Sequence, residues 1–294
     1  MILTLLKKIK SSLLSILEDI YLLIFSINKK EFITNEFKEL IKNYESKKLN
    51  HWEQIAYLVL KKISKFGFYN FLRFRLIKDT MFANNDNNFD KYLSLIDIDK
   101  DQRFIKEVSF GNPVLSKNAK FTSINKLHQF YHLKLFNELS HRKHSDIFIE
   151  LGGGYGLLCL LCIKFFKVKK YIIFDLEGFL YLQKIYLLKI LTKEEFSRIH
   201  FVSDINILIR IISKIKRFDF FAFWSFSEID IHFRKKFISI IKKSKFFLIG
   251  YQDYFHEINN YKYFEKFVKE LKEFSIFKNK HPCHKDNYYL FGKR

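Results

Sequence analysis

The sequence predicts an α/β protein in which a helical N-terminal region precedes a mostly parallel sheet with helices on both faces. Helical periodicity runs through residues 1–80, whereas from residue 146 short apolar runs alternate with helical ones. Seven runs are strand-like: 146–151, 171–175, 199–203, 218–224, 245–250, 274–280 and 287–292. Because the last two follow each other without a helix between them, we expect one edge of the sheet to be antiparallel.

The composition is that of a globular protein. The chain has 294 residues, of which 48% are hydrophobic and 28% are charged, and this excludes intrinsic disorder, a collagen-like repeat and a disulfide-stapled miniprotein. The formal charge of +21 comes from 52 Lys and Arg against 31 Asp and Glu. The basic residues are spread in small groups rather than in blocks. The charge is therefore compatible with an acidic partner but does not identify one.

We expect two parts, a helical region over residues 1–110 and an α/β domain over residues 111–294. The run from His51 to Lys62 is a clear amphipathic helix, and an Asn-rich loop is expected at 83–90, followed by irregular chain to about residue 120. An N-terminal helix is expected from apolar residues at helical spacing: Leu6, Ile9, Leu13, Leu17 and Ile20. We expect it to pack in a core, while contact with an anionic membrane and homo-oligomer formation stay open as alternatives.

The sequence predicts a cytoplasmic protein. The N-terminal apolar runs are far shorter than the ~20 residues of a membrane-spanning helix, and no signal-peptide cleavage site follows them. The three cysteines favour a reducing compartment. Peripheral attachment at the inner membrane is the open alternative, through the basic and apolar N-terminal helix.

Metal-binding patterns in the sequence are fragmentary. Cys159 and Cys162 lie in an apolar helical run and are expected to be buried as small hydrophobic residues. The segment HPCH at 281–284 has no partner ligands at zinc spacing, so we expect a loop. His128 and His132 are spaced i, i+4 on a predicted helix without an HExxH glutamate, so we expect them to line a cleft or face water. No metal is predicted, although four other residues together could hold a divalent cation: Asp230, His232, Asp253 and His256.

The glycines are concentrated at one place. Four of the nine in the chain lie in IELGGGYGLL at 149–158, at the predicted carboxyl end of the first strand. Open α/β sheets bind ligands at this edge, and glycines let the backbone approach them closely. The spacing fits neither a P-loop nor the dinucleotide fingerprint GxGxxG. The second strand ends in Asp175, where a carboxylate can accept hydrogen bonds from ribose hydroxyls.

The arrangement of Glu150, Gly152, Gly154 and Gly156 resembles motif I of class I S-adenosylmethionine-dependent methyltransferases. The terminal strand pair also resembles that fold, a Rossmann-like seven-stranded sheet whose last strand pair is antiparallel. Three stretches are further similar to a family of sugar O-methyltransferases found among bacterial surface-polysaccharide genes: IELGGGYGLLCLL, YIIFDLEGFLYLQKIYL and WSFSEID. The similarity covers roughly residues 110–260.

The resemblance implies an S-adenosylmethionine-dependent O-methyltransferase that acts on a hydroxyl of a sugar or nucleotide sugar in polysaccharide biosynthesis. It implies cofactor contacts from seven residues: Glu150, Gly152, Gly154, Gly156, Asp175, Ser203 and Asp204. Two more cofactor contacts are expected from position in the fold, Tyr131 on the predicted helix before the first strand and Trp224 at the end of the fourth strand. A sugar hydroxyl needs a general base, and Glu228 is our first candidate. The same glutamate would also favour a helix N-terminus electrostatically. His256 is the alternative base, and Asp253 lies at the same predicted rim.

Two other functions stay open. A nucleic-acid or other small-molecule methyltransferase would share the fold and use the positive charge. However, WSFSE stands after the fourth strand, where base methylation generally brings an N/DPPY motif, so we expect no nucleic-acid partner. The second is a degenerate methyltransferase-fold interaction protein, and the intact acidic and glycine positions argue against it.

Overall fold

The computed structural model describes residues 31–82 and 88–294, together with Leu17, Ile20 and Leu22. Most of the predicted N-terminal helix, including Leu6, Ile9 and Leu13, therefore lies outside the described residues, as does most of the Asn-rich loop. Of the described positions in that helix, Leu17 and Ile20 are exposed and Leu22 is buried. The predicted core packing is thus not seen at Leu17 and Ile20.

The described chain forms two compact units that alternate along it. One unit draws on Met1–Asp86 and Lys106–Asn125, and the other on Asn87–Ile105 and Lys126–Arg294. The division expected at residue 110 stays a prediction.

The first unit is helical. It contains α1 (Asn35–Glu45), α2 (His51–Phe66), a 3-10 turn at Phe71–Arg73 and α3 (Arg75–Met81). The helix predicted from His51 to Lys62 is confirmed as α2. It begins with a capping box in which the Asn50 side chain accepts from the Glu53 N–H and Glu53 accepts from the Asn50 N–H.

The second unit combines helices with strands. Its helices are α4 (Phe89–Ser94), α5 (Ile98–Ile105), α6 (Ile124–Leu139, which starts in the first unit), α7 (Leu157–Phe165), α8 (Glu177–Ile190), α9 (Lys193–Ser197), α10 (Ile205–Ile212), α11 (Ser225–Glu228), α12 (Ile231–Ile241) and α13 (Asn260–Lys269). Its strands are β1 (Ile147–Leu151), β2 (Lys170–Phe174), β3 (Ile199–Val202), β4 (Asp219–Phe223), β5 (Phe246–Gln252), β6 (Tyr254–Phe255), β7 (Ile258–Asn259), β8 (Ser275–Lys280) and β9 (Asn287–Lys293).

Seven of the strands form one sheet in the order β3-β2-β1-β4-β5-β9-β8. The first five are parallel, and β9 runs antiparallel to both β5 and β8. The predicted fold class is confirmed, including the antiparallel last pair. Since the parallel strands end at one edge, this order brings together the turns that follow β1, β2, β4 and β5.

Side chains alternate between the two faces of the sheet, and each face has its own helices. On one face Ile149, Ile172 and Phe220 share a core with residues of α10, α12 and α13. On the other face Phe136 of α6 makes an edge contact with Phe221, at 4.7 Å between ring centroids. The same ring also contacts Phe148, Phe246 and Phe291. The sheet is therefore the middle layer of three.

The structure contains elements that the sequence did not predict. Helices α4 and α5 occupy chain that we expected to be loop or irregular, α10 connects β3 to β4, and β6 and β7 form a small hairpin. Helix α10 has the sequence INILIRII, whose β-branched residues do not favour a helix. The helix forms because its apolar side packs on the sheet and the Asp204 carboxylate accepts from the N–H groups of Asn206 and Ile207.

Two further observations concern individual helices. Cys159 and Cys162 are fully buried on α7, as predicted. Within the part of the chain that the structure describes, no helix has the length and apolarity needed to cross a membrane.

The antiparallel edge gives a test of packing. Gly292 of β9 pairs with Phe247 of β5, and a Cβ at Gly292 would lie 2.1 Å from Cε1 of that ring. We expect Gly292→Ala to lower the free energy of unfolding by about 1–3 kcal/mol through overpacking. Thermal denaturation would measure this, with Lys293→Ala as the exposed control. Phe247→Leu should relieve the clash with the new Cβ. The double variant Gly292→Ala, Phe247→Leu is therefore expected to lose less stability than the two single variants lose together. A Gly292→Ala protein as stable as the wild type would contradict this packing.

Candidate functional site

The glycine turn after β1 has two different faces. Gly152 has φ +74°, and a Cβ there would lie 2.4 Å from Cβ of Ser225, in the segment that follows β4. Gly154 has φ +55°, yet a Cβ there would meet nothing within 4 Å. Gly152 is thus required by close packing, whereas the Gly154 backbone is open to approach from outside the protein.

Asp175 lies directly after β2 and holds this turn. Its Oδ2 accepts from the Gly153 N–H at 2.9 Å and from the Gln183 amide at 2.7 Å. Its Oδ1 accepts from the Leu176 N–H at 2.8 Å. Burial raises the pKa of Asp175 to about 6, although these hydrogen bonds act in the opposite direction. A carboxylate has about four acceptor positions, so roughly one remains, on Oδ1.

Gln183 is a contributor that the sequence reasoning did not assign. This side chain of α8 is buried, and its amide donates both to Asp175 and to the Gly154 carbonyl, at 3.0 Å. One amide group therefore fixes the glycine turn to the end of β2. The glutamine was visible in the helix after the second strand, but the sequence does not show which way its side chain points.

Glu150 is buried on β1, on the face that carries Phe148. The Tyr171 hydroxyl of β2 donates to Glu150 Oε2 at 2.9 Å. Burial raises the pKa of Glu150 to about 8 and the Asp175 charge adds to this, while the bond from Tyr171 opposes it. At neutral pH this carboxyl group is therefore mostly protonated.

The segment after β4 is held at an unusual backbone angle. Trp224 has φ +62°, which is rare for a residue with a side chain and indicates local strain. Its backbone N–H donates to the Gly250 carbonyl at 2.7 Å, and its indole N–H donates to Asn287 Oδ1 at 2.8 Å. The Ser225 hydroxyl donates to the Leu151 carbonyl. These bonds tie the segment to β5, β9 and β1.

Glu228 ends the short helix α11 in the same segment. The Gln252 amide donates to Glu228 Oε1 at 3.0 Å, and the Ser227 hydroxyl lies 2.7 Å from Gln252 Oε1. Burial raises the pKa of Glu228 to about 7, against the Gln252 hydrogen bond and the positive charge of Arg234. A carboxyl group that titrates near neutrality can accept a proton at physiological pH.

Arg234 supports this glutamate from within the protein and was also not assigned from the sequence. Its side chain is fully buried on α12. The guanidinium donates to the carbonyls of Ser227 at 2.6 Å and Ile229 at 3.0 Å, on either side of Glu228. It also donates to Asn260 Oδ1 at 2.9 Å. The backbone around Glu228 is therefore fixed.

The other candidates at the ends of β3 and β5 lie in different surroundings. Asp253 follows β5, and its Oδ1 is buried without a hydrogen-bond partner among the described residues. His256 is exposed at the tip of the β6–β7 hairpin. Ser203 and Asp204 are exposed after β3.

Tyr131 and the four residues of the possible cation site can also be located in the structure. Tyr131 lies on α6 beside the rings of Tyr92, His281 and Tyr289. Four residues that we expected could hold a divalent cation do not converge as such a group within the described chain: Asp230, His232, Asp253 and His256.

A basic groove lies at the opposite edge of the sheet. It has a volume of about 900 Å³ and is lined by the starts of β1 and β2 and by α10 with the chain after it. Its cationic residues are Lys170, Arg210, Lys214, Lys216 and Arg217. Because it adjoins the amino ends of parallel strands, this groove is separate from the glycine turn.

Comparisons with known proteins find similarity in structure but not in sequence families. No protein-family model and no curated protein matches the sequence. The methyltransferase domain of bacterial CtHen1 is similar with a TM-score of 0.45 and 14% identity, over 55% of this chain and 97% of that domain. The glycopeptide N-methyltransferase MtfA in complex with S-adenosylmethionine has a TM-score of 0.41 and 13% identity, over 54% and 85% of the two chains. An rRNA methylase from Streptococcus thermophilus has a TM-score of 0.42 and 14% identity, over 55% of this chain and 95% of the methylase chain.

The two glycine positions predict different stabilities for matched substitutions. Gly154→Ala should lower the free energy of unfolding by only about 1–2 kcal/mol, the penalty for a Cβ at positive φ. Gly152→Ala should lower it further, because its Cβ would also overlap Ser225. Chemical denaturation of both variants measures the difference. The double variant Gly152→Ala, Ser225→Gly should recover part of the loss, and equal stabilities of the two single variants would contradict the packing described.

The raised pKa of Glu150 predicts a pH-dependent stability. The folded state keeps the proton up to about pH 8 while the unfolded chain loses it near its ordinary value of 4.5. Stability is therefore full below that value and falls as the pH rises toward 8, by about 3 kcal/mol between pH 5 and 8. Glu150→Gln should remove this part of the decline in urea unfolding, whereas the exposed control Glu194→Gln should not. If the unfolding free energy of Glu150→Gln and Glu194→Gln fell equally with rising pH, Glu150 would not be the source of the pH dependence.

Proposed function

We propose that this chain is an S-adenosylmethionine-dependent methyltransferase that methylates a hydroxyl group of a sugar or nucleotide sugar. One observation carries the proposal. The open backbone at Gly154 lies beside half-buried Asp175, at the same sheet edge as Glu228, whose carboxyl group titrates near neutrality. A role in surface-polysaccharide biosynthesis rests on the sequence resemblance.

The residues at the glycine turn fit the proposed cofactor. The open face of Gly154 gives a bulky ligand room against the backbone, and the remaining acceptor position on Asp175 Oδ1 suits one ribose hydroxyl. Glu150 and the turn would hold the amino-acid end, and an ammonium group near Glu150 would favour its ionised form. When bound, S-adenosylmethionine supplies an electrophilic methyl group on a sulfonium.

Glu228 would take the proton from the acceptor hydroxyl. A hydroxyl group is a weak nucleophile until it loses its proton, and a carboxylate with a pKa of about 7 is a stronger base than an ordinary glutamate. Gln252 orients the carboxylate by donating to Oε1. Arg234 holds the flanking backbone and acts as a positioning residue.

A further observation favours a small polyhydroxyl acceptor. The basic groove that would attract a nucleic acid lies at the other edge of the sheet. Its charge is not directed at the proposed methyl-transfer site.

The proposal is tested by separating cofactor binding from methyl transfer. Isothermal titration should show S-adenosylmethionine binding to the wild type, to Glu228→Gln and to the control Asp146→Asn, whose exposed carboxylate lies at the opposite edge. Asp175→Asn should bind at least about tenfold more weakly, because it loses a charged acceptor. No binding of millimolar cofactor to the wild-type protein would refute the proposal.

Methyl transfer is then measured from labelled S-adenosylmethionine to a panel of monosaccharides and nucleotide sugars. Glu228→Gln should lower kcat by about 10²–10⁴-fold with unchanged cofactor affinity. The wild-type rate should rise with pH and level off above about pH 7, because the ionised carboxylate is the active form. Labelling of RNA rather than sugars, or full activity of Glu228→Gln, would overturn the corresponding part of the proposal.

A further inference from the structure

Two histidine motifs that are far apart in the sequence meet in the second unit. His128 and His132 lie one turn apart on α6, and His281 belongs to the HPCH segment between β8 and β9. The Nε2 atom of His128 is 3.1 Å from that of His132 and 3.2 Å from that of His281. One ring nitrogen from each of the three histidines lies within 4.8 Å of the other two. We call these residues the histidine cluster.

The histidine cluster is buried, which corrects the expectation that His128 and His132 line a cleft or face water. The three side chains are 3%, 0% and 4% exposed. The HPCH segment is a loop, as predicted, but two histidines of α6 lie beside its His281. Spacing along the sequence could not reveal them because they come from a distant helix.

Packing fixes the rings of the cluster. His132 is stacked on Phe223 at the end of β4, with 3.9 Å between ring centroids and 5° between planes. His128 lies 5.2 Å from the rings of both Tyr92 and Trp224. The two rings are thus held by aromatic neighbours, with Nε2 of His132 facing His128 and Nε2 of His128 facing His281.

Hydrogen bonds leave several ring nitrogens of the histidine cluster without a suitable partner. The Cys283 N–H donates to His281 Nδ1, so the His281 proton is on Nε2 and points at His128 Nε2. His132 Nε2 approaches the same atom, which has a single lone pair to offer. In addition, Nδ1 of His128 and of His132 is buried without a hydrogen-bond partner in the described chain. Burying three polar rings at this deficit is costly unless another interaction compensates.

We propose that the histidine cluster binds a zinc ion through the Nε2 atoms of His128, His132 and His281. At a zinc–nitrogen distance of about 2.05 Å, two ligands of a tetrahedral ion lie roughly 3.3 Å apart, close to the two short separations in the cluster. The H-x3-H spacing on one helix is also typical of zinc sites. Each ring would bind the ion in its neutral form, through the lone pair of its Nε2 atom.

Binding changes the proton arrangement at His281 in a defined way. The His281 proton moves from Nε2 to Nδ1, the nitrogen–metal bond forms at Nε2, and the Cys283 N–H gives up its bond to Nδ1. The unpartnered Nδ1 atoms of His128 and His132 are unaffected, whereas the Cys283 N–H loses its acceptor at His281 Nδ1. The coordinate bonds to the ion offset this loss. His284 provides the nearest further imidazole, with its ring centroid 4.7 Å from that of His281.

A buried ion at this position would have a structural role. It would join α6 to the loop between β8 and β9, and His128 and His132 both contact Trp224, whose strained backbone precedes Ser225 and Glu228. The zinc site would thus brace the segment after β4 through its contacts with Trp224. This inference does not depend on the proposed methyl transfer.

The test measures metal content and metal-dependent stability of the full chain. Elemental analysis of protein produced with added zinc should give one equivalent per chain, and cobalt should bind with visible absorption typical of tetrahedral nitrogen ligation. His132→Phe keeps the ring that stacks on Phe223, and His281→Gln keeps a polar side chain. Each should weaken zinc binding by at least about tenfold. His232→Phe, which alters an exposed histidine, is the control and should bind as the wild type does.

Thermal denaturation distinguishes the loss of a metal ligand from a general loss of folding stability in a variant. A strong chelator should lower the Tm of the wild type and of His232→Phe but leave that of His132→Phe unchanged. The inference is overturned if the wild-type protein binds neither zinc nor cobalt and its Tm does not change when the chelator is added. It is equally overturned if His232→Phe, and not His132→Phe, loses the metal, or if cobalt shows a thiolate absorption band that Cys283→Ser removes.

Discussion

The candidate site depends on the half-buried carboxylate of Asp175. Three donors converge on it, from the glycine turn, from the start of the chain after β2 and from α8. Because Gln183 bonds Asp175 and Gly154 at once, the turn cannot move without breaking a charged hydrogen bond. The open backbone at Gly154 is therefore presented in one fixed position.

The same edge of the sheet gathers several carboxyl groups that would ordinarily be ionised. Burial raises the pKa of Glu150 to about 8, of Glu228 to about 7 and of Asp175 to about 6. Each is held by a different donor, Tyr171 for Glu150, Gln252 for Glu228 and the amides around the turn for Asp175. Groups whose pKa values are set apart by their surroundings can serve different purposes, one in binding and another in proton transfer.

Much of the fold was predictable because local pattern and tertiary role agree in it. The seven strand runs are short, apolar and separated by helical periodicity, and all seven are strands of one sheet. The failures have physical causes. Helix α10 is rich in isoleucine and has little intrinsic helix preference, so packing on the sheet and the Asp204 cap decide its structure. Helices α4 and α5 are too short for their periodicity to stand out.

The sequence by itself determined the order of strands and helices, the glycine turn and the acidic residue after the second strand. These are local properties, since hydrophobic period and glycine spacing can be read from neighbouring residues. Only the tertiary structure decided that Gln183 reaches the turn, that Gln252 and Arg234 surround Glu228, and that His281 meets His128 and His132. These contacts join residues on different strands and helices. Their existence depends on strand order and side-chain direction, neither of which the spacing of residues along the chain encodes.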